Sequence, residues 1–259
     1  MELYFEDTGS QKPALVLLAG LATDETSWIF QKEPLAAQHR LITCDNRGAG
    51  RSPKPAGPYA IAQMAADVIA LLDRLGLAKA SLLGHSMGGA IAQYLAIEHP
   101  ERVDRLVLAC TSSKFDGRSV PVVRSWAGVI QLGASPEVIG NTLFPWLYTE
   151  RFLSTPSNLE ACISALAQHP YPMQGRAVAA QVAALGDFDG TAQLHRIASP
   201  TLVLAAEQDL LVSPTSCRRL AESISGARLE VLPETAHSCM LETPELFNRA
   251  ALSFLASPA

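Results

Sequence analysis

The hexapeptide Gly84-His85-Ser86-Met87-Gly88-Gly89 constrains this chain more than any other stretch, because of what flanks it. Ala80 to Leu83 reads as the last part of a buried strand, and Ala90, Ile91, Tyr94, Leu95 and Ile97 supply the apolar face of a following helix. A Ser with Gly two residues to either side, at a strand-to-helix turn, is the pattern of a nucleophile elbow. The serine must adopt a strained backbone conformation that pushes Oγ out of the turn, and side chains at the flanking positions would collide with neighbouring backbone. Met87 then begins the helix, so its free N–H points at whatever Ser86 attacks, with the positive end of the helix dipole behind it. The alternative is a glycine-rich turn whose Ser merely caps the helix.

The rest of the chain supplies a frame for such an elbow. Apolar strand-like runs recur at Leu3–Phe5, Ala14–Ala19, Leu41–Cys44, Ala80–Leu83, Leu106–Ala109, Thr201–Ala205 and Leu229–Leu232. Several are apolar on consecutive residues, as parallel strands covered on both faces tend to be. Between them lie helical patterns. Ile61, Met64, Ala65, Val68, Leu71, Leu72 and Leu75 form one stripe that Gly76 ends. Val212–Ser223 and Pro244–Leu255 read as further helices, the last with Thr243 as cap. The alternation predicts an α/β fold with a doubly wound, mostly parallel sheet.

From Thr111 to about Ala198 there is no convincing strand, only short helical patterns split by Pro136, Pro145, Pro156, Pro170 and Pro172. This stretch reads as a helical lid inserted over the carboxyl edge of the sheet. The expected organisation is therefore a core in two parts, 1–111 and 199–259, with the lid at 112–198. At 259 residues and 48% hydrophobic composition, the chain can bury a large core of this kind.

Charge and cysteine usage narrow the function classes. The net charge of −5 is spread without long runs of either sign, so neither a nucleic acid nor a membrane surface is an expected partner. The segment Met1–Asp7 lacks the basic and apolar regions of a signal peptide. Five scattered cysteines with no CxxC spacing argue for free thiols in a reducing cytoplasm, rather than a disulfide frame or a zinc site. Four read as buried small hydrophobes; Cys239, two residues after a candidate catalytic His, is the exception. No metal and no cofactor is expected.

A serine hydroxyl needs a base that reaches its proton, normally a His oriented by a carboxylate. Of six histidines, His237 lies in the loop after Leu229–Leu232, immediately before the last helix, where a late-strand catalytic His belongs. His85 adjoins the nucleophile and is expected to point away from Oγ. His39 and His99 read as surface residues, and His169 and His195 fall in or beside the lid. For the acid, Asp209 follows the strand Thr201–Ala205, with room for one helix and one strand before His237. Glu207 is expected to face the other side of that turn, and Asp187 and Asp189 lie upstream of the strand. A helix-capping role is the alternative for Asp209. The second oxyanion N–H, beside that of Met87, is assigned to Leu21 in the loop Gly20-Leu21-Ala22.

Together, Ala19-Gly20-Leu21, Asp45-Asn46-Arg47-Gly48-Ala49-Gly50-Arg51-Ser52, Gly84 to Gly89, Asp209 to Pro214 and Ala236-His237 resemble the α/β-hydrolase superfamily over nearly the whole chain. Within it the chain looks like small bacterial serine hydrolases: carboxylesterases, the carboxylesterase of biotin synthesis and 3-oxoadipate enol-lactonases. The resemblance implies a catalytic triad of Ser86, Asp209 and His237, oxyanion donors at Leu21 and Met87, and a small-molecule ester or lactone as substrate. Ser86 argues against the dehalogenase and epoxide-hydrolase relatives, which attack with Asp. The family usually has His-Gly where this chain has Ala19-Gly20, and that His organises the oxyanion loop. The departure bears on loop rigidity and substrate fit, not on the nucleophile. The Asp45–Ser52 run is expected to tie its loop beside the site through Asp45 and Arg47, with direct recognition of a substrate carboxylate as the alternative for Arg47.

The lid leaves the substrate open. Trp126, Phe144, Trp146, Tyr148, Phe152 and Tyr171 either line an apolar acyl pocket or pack the lid onto the core. Arg118, Arg124, Arg151 and Arg176 either recognise a carboxylate or lie solvated at the surface. The same catalytic residues would also serve a thioesterase, a carbon–carbon hydrolase or an acyltransferase. A ligand-sensing signalling protein is the reading from another class.

Overall fold

In the computed structural model of the chain, which describes residues 1–115 and 117–257, adjacent residues of one strand feed two different cores. Val16 and Leu18 pack into one apolar cluster, with Leu82, Leu106 and Val203 from neighbouring strands. Leu15 and Leu17 pack into another, with Leu83, Val107 and Leu204. Both faces of the sheet are covered, which is why these strands read as unbroken apolar runs.

The strands are β1 (Phe5–Asp7), β2 (Ala14–Leu18), β3 (Arg40–Cys44), β4 (Ala80–His85), β5 (Val103–Ala109), β6 (Thr201–Ala206) and β7 (Arg228–Leu232). They form one sheet in the order β1-β3-β2-β4-β5-β6-β7. Only β1 runs antiparallel, against β3. Helices α1 (Lys32–Ala36), α2 (Ile61–Arg74) and α3 (Met87–Glu98) come before β5. Of α2, the side chains of Ile61, Met64, Ala65, Val68, Leu71 and Leu72 are buried, the stripe expected from their spacing. Burying each of the larger ones contributes about 1.5–3 kcal/mol. Gly76 closes the helix in the left-handed region at φ +65°.

Among the described residues, five α-helices and a short 3-10 helix (Thr191–Arg196) separate β5 from β6: α4 (Ser119–Gln131), α5 (Pro136–Leu147), α6 (Glu150–Leu153), α7 (Pro156–Ala167) and α8 (Gly175–Gly186). Among the described residues no strand forms there, only an isolated bridge between Lys114 and Asp189. Pro136 and Pro156 start helices, as their fixed φ favours. Pro145 does not split α5. It sits in the last turn, where only the Asn141 carbonyl loses an amide partner. These helices have an apolar cluster of their own, built on Val123, Trp126, Leu143, Phe144, Val178 and Val182. It meets the rest of the chain at Leu21, Ala22, Leu211 and Leu241.

The chain ends with α9 (Pro214–Glu222), α10 (Cys239–Glu242) and α11 (Pro244–Leu255). Ser213 caps α9 by accepting from the Ser216 N–H. Thr243 does not cap α11 as expected; its hydroxyl donates back to the Cys239 carbonyl, 3.2 Å away. No helix among the described residues is long and apolar enough to cross a membrane.

Candidate active site

From β2 the chain turns to β3 on one side, and β4 then pairs on the other. Such a reversal opens a crevice at the carboxyl ends of the two strands, where ligands bind in open α/β sheets. Here the switch point falls between the loop after Leu18 and the elbow after His85, since Leu18 pairs with Gly84.

Ser86 occupies the elbow at φ +53° and ψ −117°, a conformation β-carbon-bearing residues rarely adopt. Its side chain makes no capping bond to α3, so the helix-cap alternative does not hold. The main chain fixes the strain. The Ser86 N–H donates to the Ala109 carbonyl at 2.9 Å, and the Ser86 carbonyl accepts from the Thr111 hydroxyl at 2.8 Å. A Cβ on Gly88 would overlap the Leu18 carbonyl, and one on Gly84 would overlap the Gly88 carbonyl. Only hydrogen at both positions lets the elbow close onto β2.

Gly20 places the loop after β2 against the elbow: a Cβ there would stand 3.1 Å from His85 Nδ1 and 3.4 Å from Ser86 Cβ. Among the described residues, neither the Leu21 nor the Met87 N–H has an acceptor within the protein. Around Ala19 the loop is held by other side chains. Asn46 Nδ2 donates to the Ala19 carbonyl at 2.9 Å and the Thr23 hydroxyl to the Gly20 carbonyl at 3.1 Å. Gln181 of α8 accepts the Ala22 N–H at 2.9 Å, with Ala22 in the left-handed region at φ +59°. The sequence reading missed Gln181; its signal is a lone polar residue in the apolar run Ala177–Leu185. The Asp45–Ser52 loop is tied as expected. Asp45 accepts the N–H groups of Glu25 and Arg51, and Arg47 grips buried Asp67 through Nε and Nη2.

On the other side of the elbow, His237 Nδ1 lies 2.8 Å from Asp209 Oδ2, both side chains sealed from solvent. The other oxygen, Oδ1, accepts the N–H groups of Leu211 and Val212, each at 2.8 Å. Asp209 thus closes a turn and bonds the imidazole at once, and the cap of α9 is Ser213. Glu207 turns away to accept the Glu234 N–H, Asp189 pairs with Lys114, and Asp187 ends α8.

Ser86 meets this pair through its neighbour. No hydrogen bond joins Ser86 Oγ to His237 among the described residues, but His85 Nε2 donates to the His237 carbonyl at 2.8 Å. The two imidazole rings lie 4.9 Å apart, and Trp28 packs edge-on against His85. Burial, with the neighbouring His237, pushes the His85 imidazole down to about 3, so it is neutral near pH 7. His39, expected at the surface, is buried too, with its Nδ1 turned back to the Leu35 carbonyl.

The helices between β5 and β6 grip the His237 loop. Ser238 N–H donates to the Leu147 carbonyl at 2.8 Å, the Thr149 hydroxyl binds Glu242, and Arg151 pairs with Glu234. Of the aromatic residues there, Tyr148 stacks on Phe152 and meets Phe144 edge-on, packing these helices together. Tyr171 is exposed, with the Arg51 guanidinium over its ring. Arg118, Arg124, Arg151 and Arg176 are all exposed.

The cysteines remain unbridged, all buried except Cys162, which is half-buried. Cys110 and Cys239 bring their sulfurs to 3.6 Å, and Cys239 is fully enclosed in the core behind His237. Sequence spacing suggested no metal-ligand group, yet the fold brings potential ligand atoms of His85, Cys110 and His237 within 4.8 Å of one another. The ring nitrogens His85 Nε2 and His237 Nδ1 already serve the bonds described above.

Residues 13–130 match the family model for the alpha/beta hydrolase fold. The chain is 35% identical to RutD of Caulobacter sp. (strain K31), provisionally named a carbamate hydrolase, over 99% of this chain and 97% of that one. It is also 35% identical to 3-oxoadipate enol-lactonase 2 of Acinetobacter baylyi, over 93% and 88% of the two chains. Among solved structures, the enol-lactonase of Burkholderia xenovorans LB400 superposes with a TM-score of 0.89 at 28% identity, covering 98% of this chain and 96% of that one.

Proposed function

Since the chain belongs to the α/β-hydrolase superfamily, and its relatives are named as hydrolases of small molecules, we propose that it is a serine hydrolase of carboxylic esters or lactones. The observation that carries this reading is the buried 2.8 Å bond between Asp209 and His237, beside a serine strained to φ +53° that caps nothing.

In this mechanism Ser86 Oγ attacks the acyl carbon while its proton passes to Nε2 of His237. Asp209 fixes the tautomer that leaves Nε2 free and stabilises the imidazolium that forms. The developing oxyanion is held by the N–H groups of Leu21 and Met87, the latter at the start of α3. His237 returns the proton to the leaving alcohol, leaving an acyl-enzyme on Ser86. Water, deprotonated by the same His, attacks that acyl carbon and frees Ser86. No cofactor enters any step.

The segment 112–198 acts as the lid. Its apolar cluster reaches the loop residues Leu21, Ala22 and Leu211, which favours an uncharged acyl group in the site. The candidate arginines support the same choice: Arg47 is paired with Asp67 and Arg151 with Glu234, while Arg118, Arg124 and Arg176 are exposed. The unbridged thiols fit a cytoplasmic setting.

The test is labelling by a fluorophosphonate probe, followed by turnover of a panel of p-nitrophenyl esters and lactones, neutral and acidic. Labelling at Ser86 with turnover of neutral members is expected. Labelling without turnover of any ester or lactone would move the assignment to another bond type or to a ligand sensor, and no labelling would remove it.

A further inference from the structure

Gln181 stands on α8, yet its side chain ends between two loops of the core. It is fully buried. Its Oε1 accepts the Ala22 N–H at 2.9 Å, and its Nε2 donates to the Arg47 carbonyl at 2.8 Å. The amide orientation is fixed by its partners, since a main-chain N–H can only donate and a carbonyl only accept. Arg47 is itself anchored through its guanidinium to Asp67 on α2. A rigid line therefore runs from α2 through Arg47 and Gln181 to Ala22. Ala22 follows Leu21 directly and holds the left-handed φ that turns this loop.

We propose that Gln181 is a positioning residue for the oxyanion loop: by holding the Ala22 N–H it fixes the turn that aims the Leu21 N–H at the crevice beside Ser86. The inference rests on the hydrolase reading above. It makes the inserted helices part of the catalytic electrostatics and not merely a cover, because the loop that stabilises charge is ordered by a lid side chain. An oxyanion donor stabilises the transition state more than the ground state, and misplacing it by a fraction of an ångström lowers kcat before KM.

The experiment compares wild type with Gln181→Met, which removes both bonds at similar volume, and Gln181→Glu, which keeps an acceptor for Ala22. Each is measured for kcat and KM on a p-nitrophenyl ester and for hydrogen exchange of the Ala22 amide, with wild-type fluorophosphonate labelling established first. Gln181→Met is expected to lose about 10- to 100-fold in kcat with KM within about threefold, and its Ala22 amide to exchange faster while strand β4 stays protected. Gln181→Glu is expected to keep Ala22 protected and to recover most of the lost kcat. A Gln181→Met protein with raised KM and normal kcat would make Gln181 a pocket wall and overturn the inference. Should Gln181→Met fail to fold, Gln181→Glu decides alone: a protected Ala22 amide with collapsed kcat overturns it, and a protected amide with near-normal kcat supports it. Absence of wild-type labelling overturns the hydrolase reading and this inference with it; labelled wild type with unchanged kcat in both variants overturns this inference only.

Discussion

Asp209 uses its two carboxylate oxygens for different tasks: Oδ1 closes its own turn on the N–H groups of Leu211 and Val212, and Oδ2 binds Nδ1 of His237. Asn at this position would keep an oxygen for the turn but present an amide to Nδ1. The imidazole would then carry its proton on Nε2, where it cannot accept one from Ser86. Asp209→Asn is expected to fold and to lose about 10⁴ in kcat, the size of the equivalent change in serine proteases. Glu207→Gln, Asp187→Asn and Asp189→Asn should each cost less than about tenfold, since removing a surface contact rarely costs more than about 1 kcal/mol. Steady-state kinetics on the four variants would decide it, and a crippled Glu207→Gln beside a normal Asp209→Asn would reassign the acid.

Ser86→Ala separates chemistry from fold. Its φ of +53° is strained for alanine and serine alike, and the hydroxyl makes no bond that stabilises α3. The variant should therefore keep its melting temperature within about 2 °C, an effect below about 1 kcal/mol. Fluorophosphonate labelling should vanish, and turnover should fall to the roughly 10³–10⁴ over water that binding and the oxyanion donors supply alone. Ordinary esterase activity in Ser86→Ala would end the hydrolase mechanism.

The elements were legible in the sequence where one physical signal dominated. Buried parallel strands left unbroken apolar runs, and α2 left its stripe, so both stand within a few residues of expectation. The first strand was displaced, from Leu3–Phe5 to Phe5–Asp7, because an edge strand pairing with one neighbour carries little apolar pattern. The candidates Ser86, Asp209 and His237 lie after strand ends as expected, because each follows a recognisable strand. What tertiary packing decides could not be read. Pairing between Gln181 and Ala22 spans most of the chain, and the Ser238–Leu147 bond joins the His237 loop to the end of α5 with no shared pattern. His39 looked like a surface residue because a helix end says nothing about which elements cover it.

Gly88 and Gly76 are both glycines near helix ends, but their substitutions should behave differently. A Cβ at Gly88 would overlap the Leu18 carbonyl on a central strand, where neither backbone can yield. Gly88→Ala should cost about 3 kcal/mol or more, as a severe case of overpacking, or prevent soluble expression. Gly76 has φ +65° and open space around it, so Gly76→Ala should cost only the left-handed penalty of about 1–2 kcal/mol. Melting curves on both would check this; equal losses would mean that the elbow does not need its close approach to β2.

Chelation should not lower activity. His85, Cys110 and His237 do approach one another, but in the proposed mechanism His237 offers Nε2 to the Ser86 proton. A soft divalent ion held there would occupy the base. Dialysis against EDTA is expected to leave kcat/KM unchanged, and added zinc to inhibit. Loss of turnover on chelation that zinc restores would show that the catalytic group had been assigned to the wrong chemistry.

Acid should destabilise the protein through histidines that are buried neutral. His85 is pushed from 6.5 to about 3 in the folded state, by burial first and by His237 next, and burial also lowers His39. In the unfolded chain both regain ordinary values. Below about pH 6.5 the unfolded state binds protons that the folded state refuses, so stability present above that pH is lost as pH falls toward 3. The slope approaches about 1.4 kcal/mol per pH unit for His85, and His39 adds to it in the same direction. His85→Gln removes one of these protons while keeping an N–H that can reach toward the His237 carbonyl. It is expected to be less stable than wild type at pH 8 because a packed ring is lost. Its denaturation midpoint should then fall less steeply between pH 6.5 and 4 than that of wild type. Parallel slopes in urea titrations across that range would show that His85 is protonated in the folded protein, against the neutral state its burial demands.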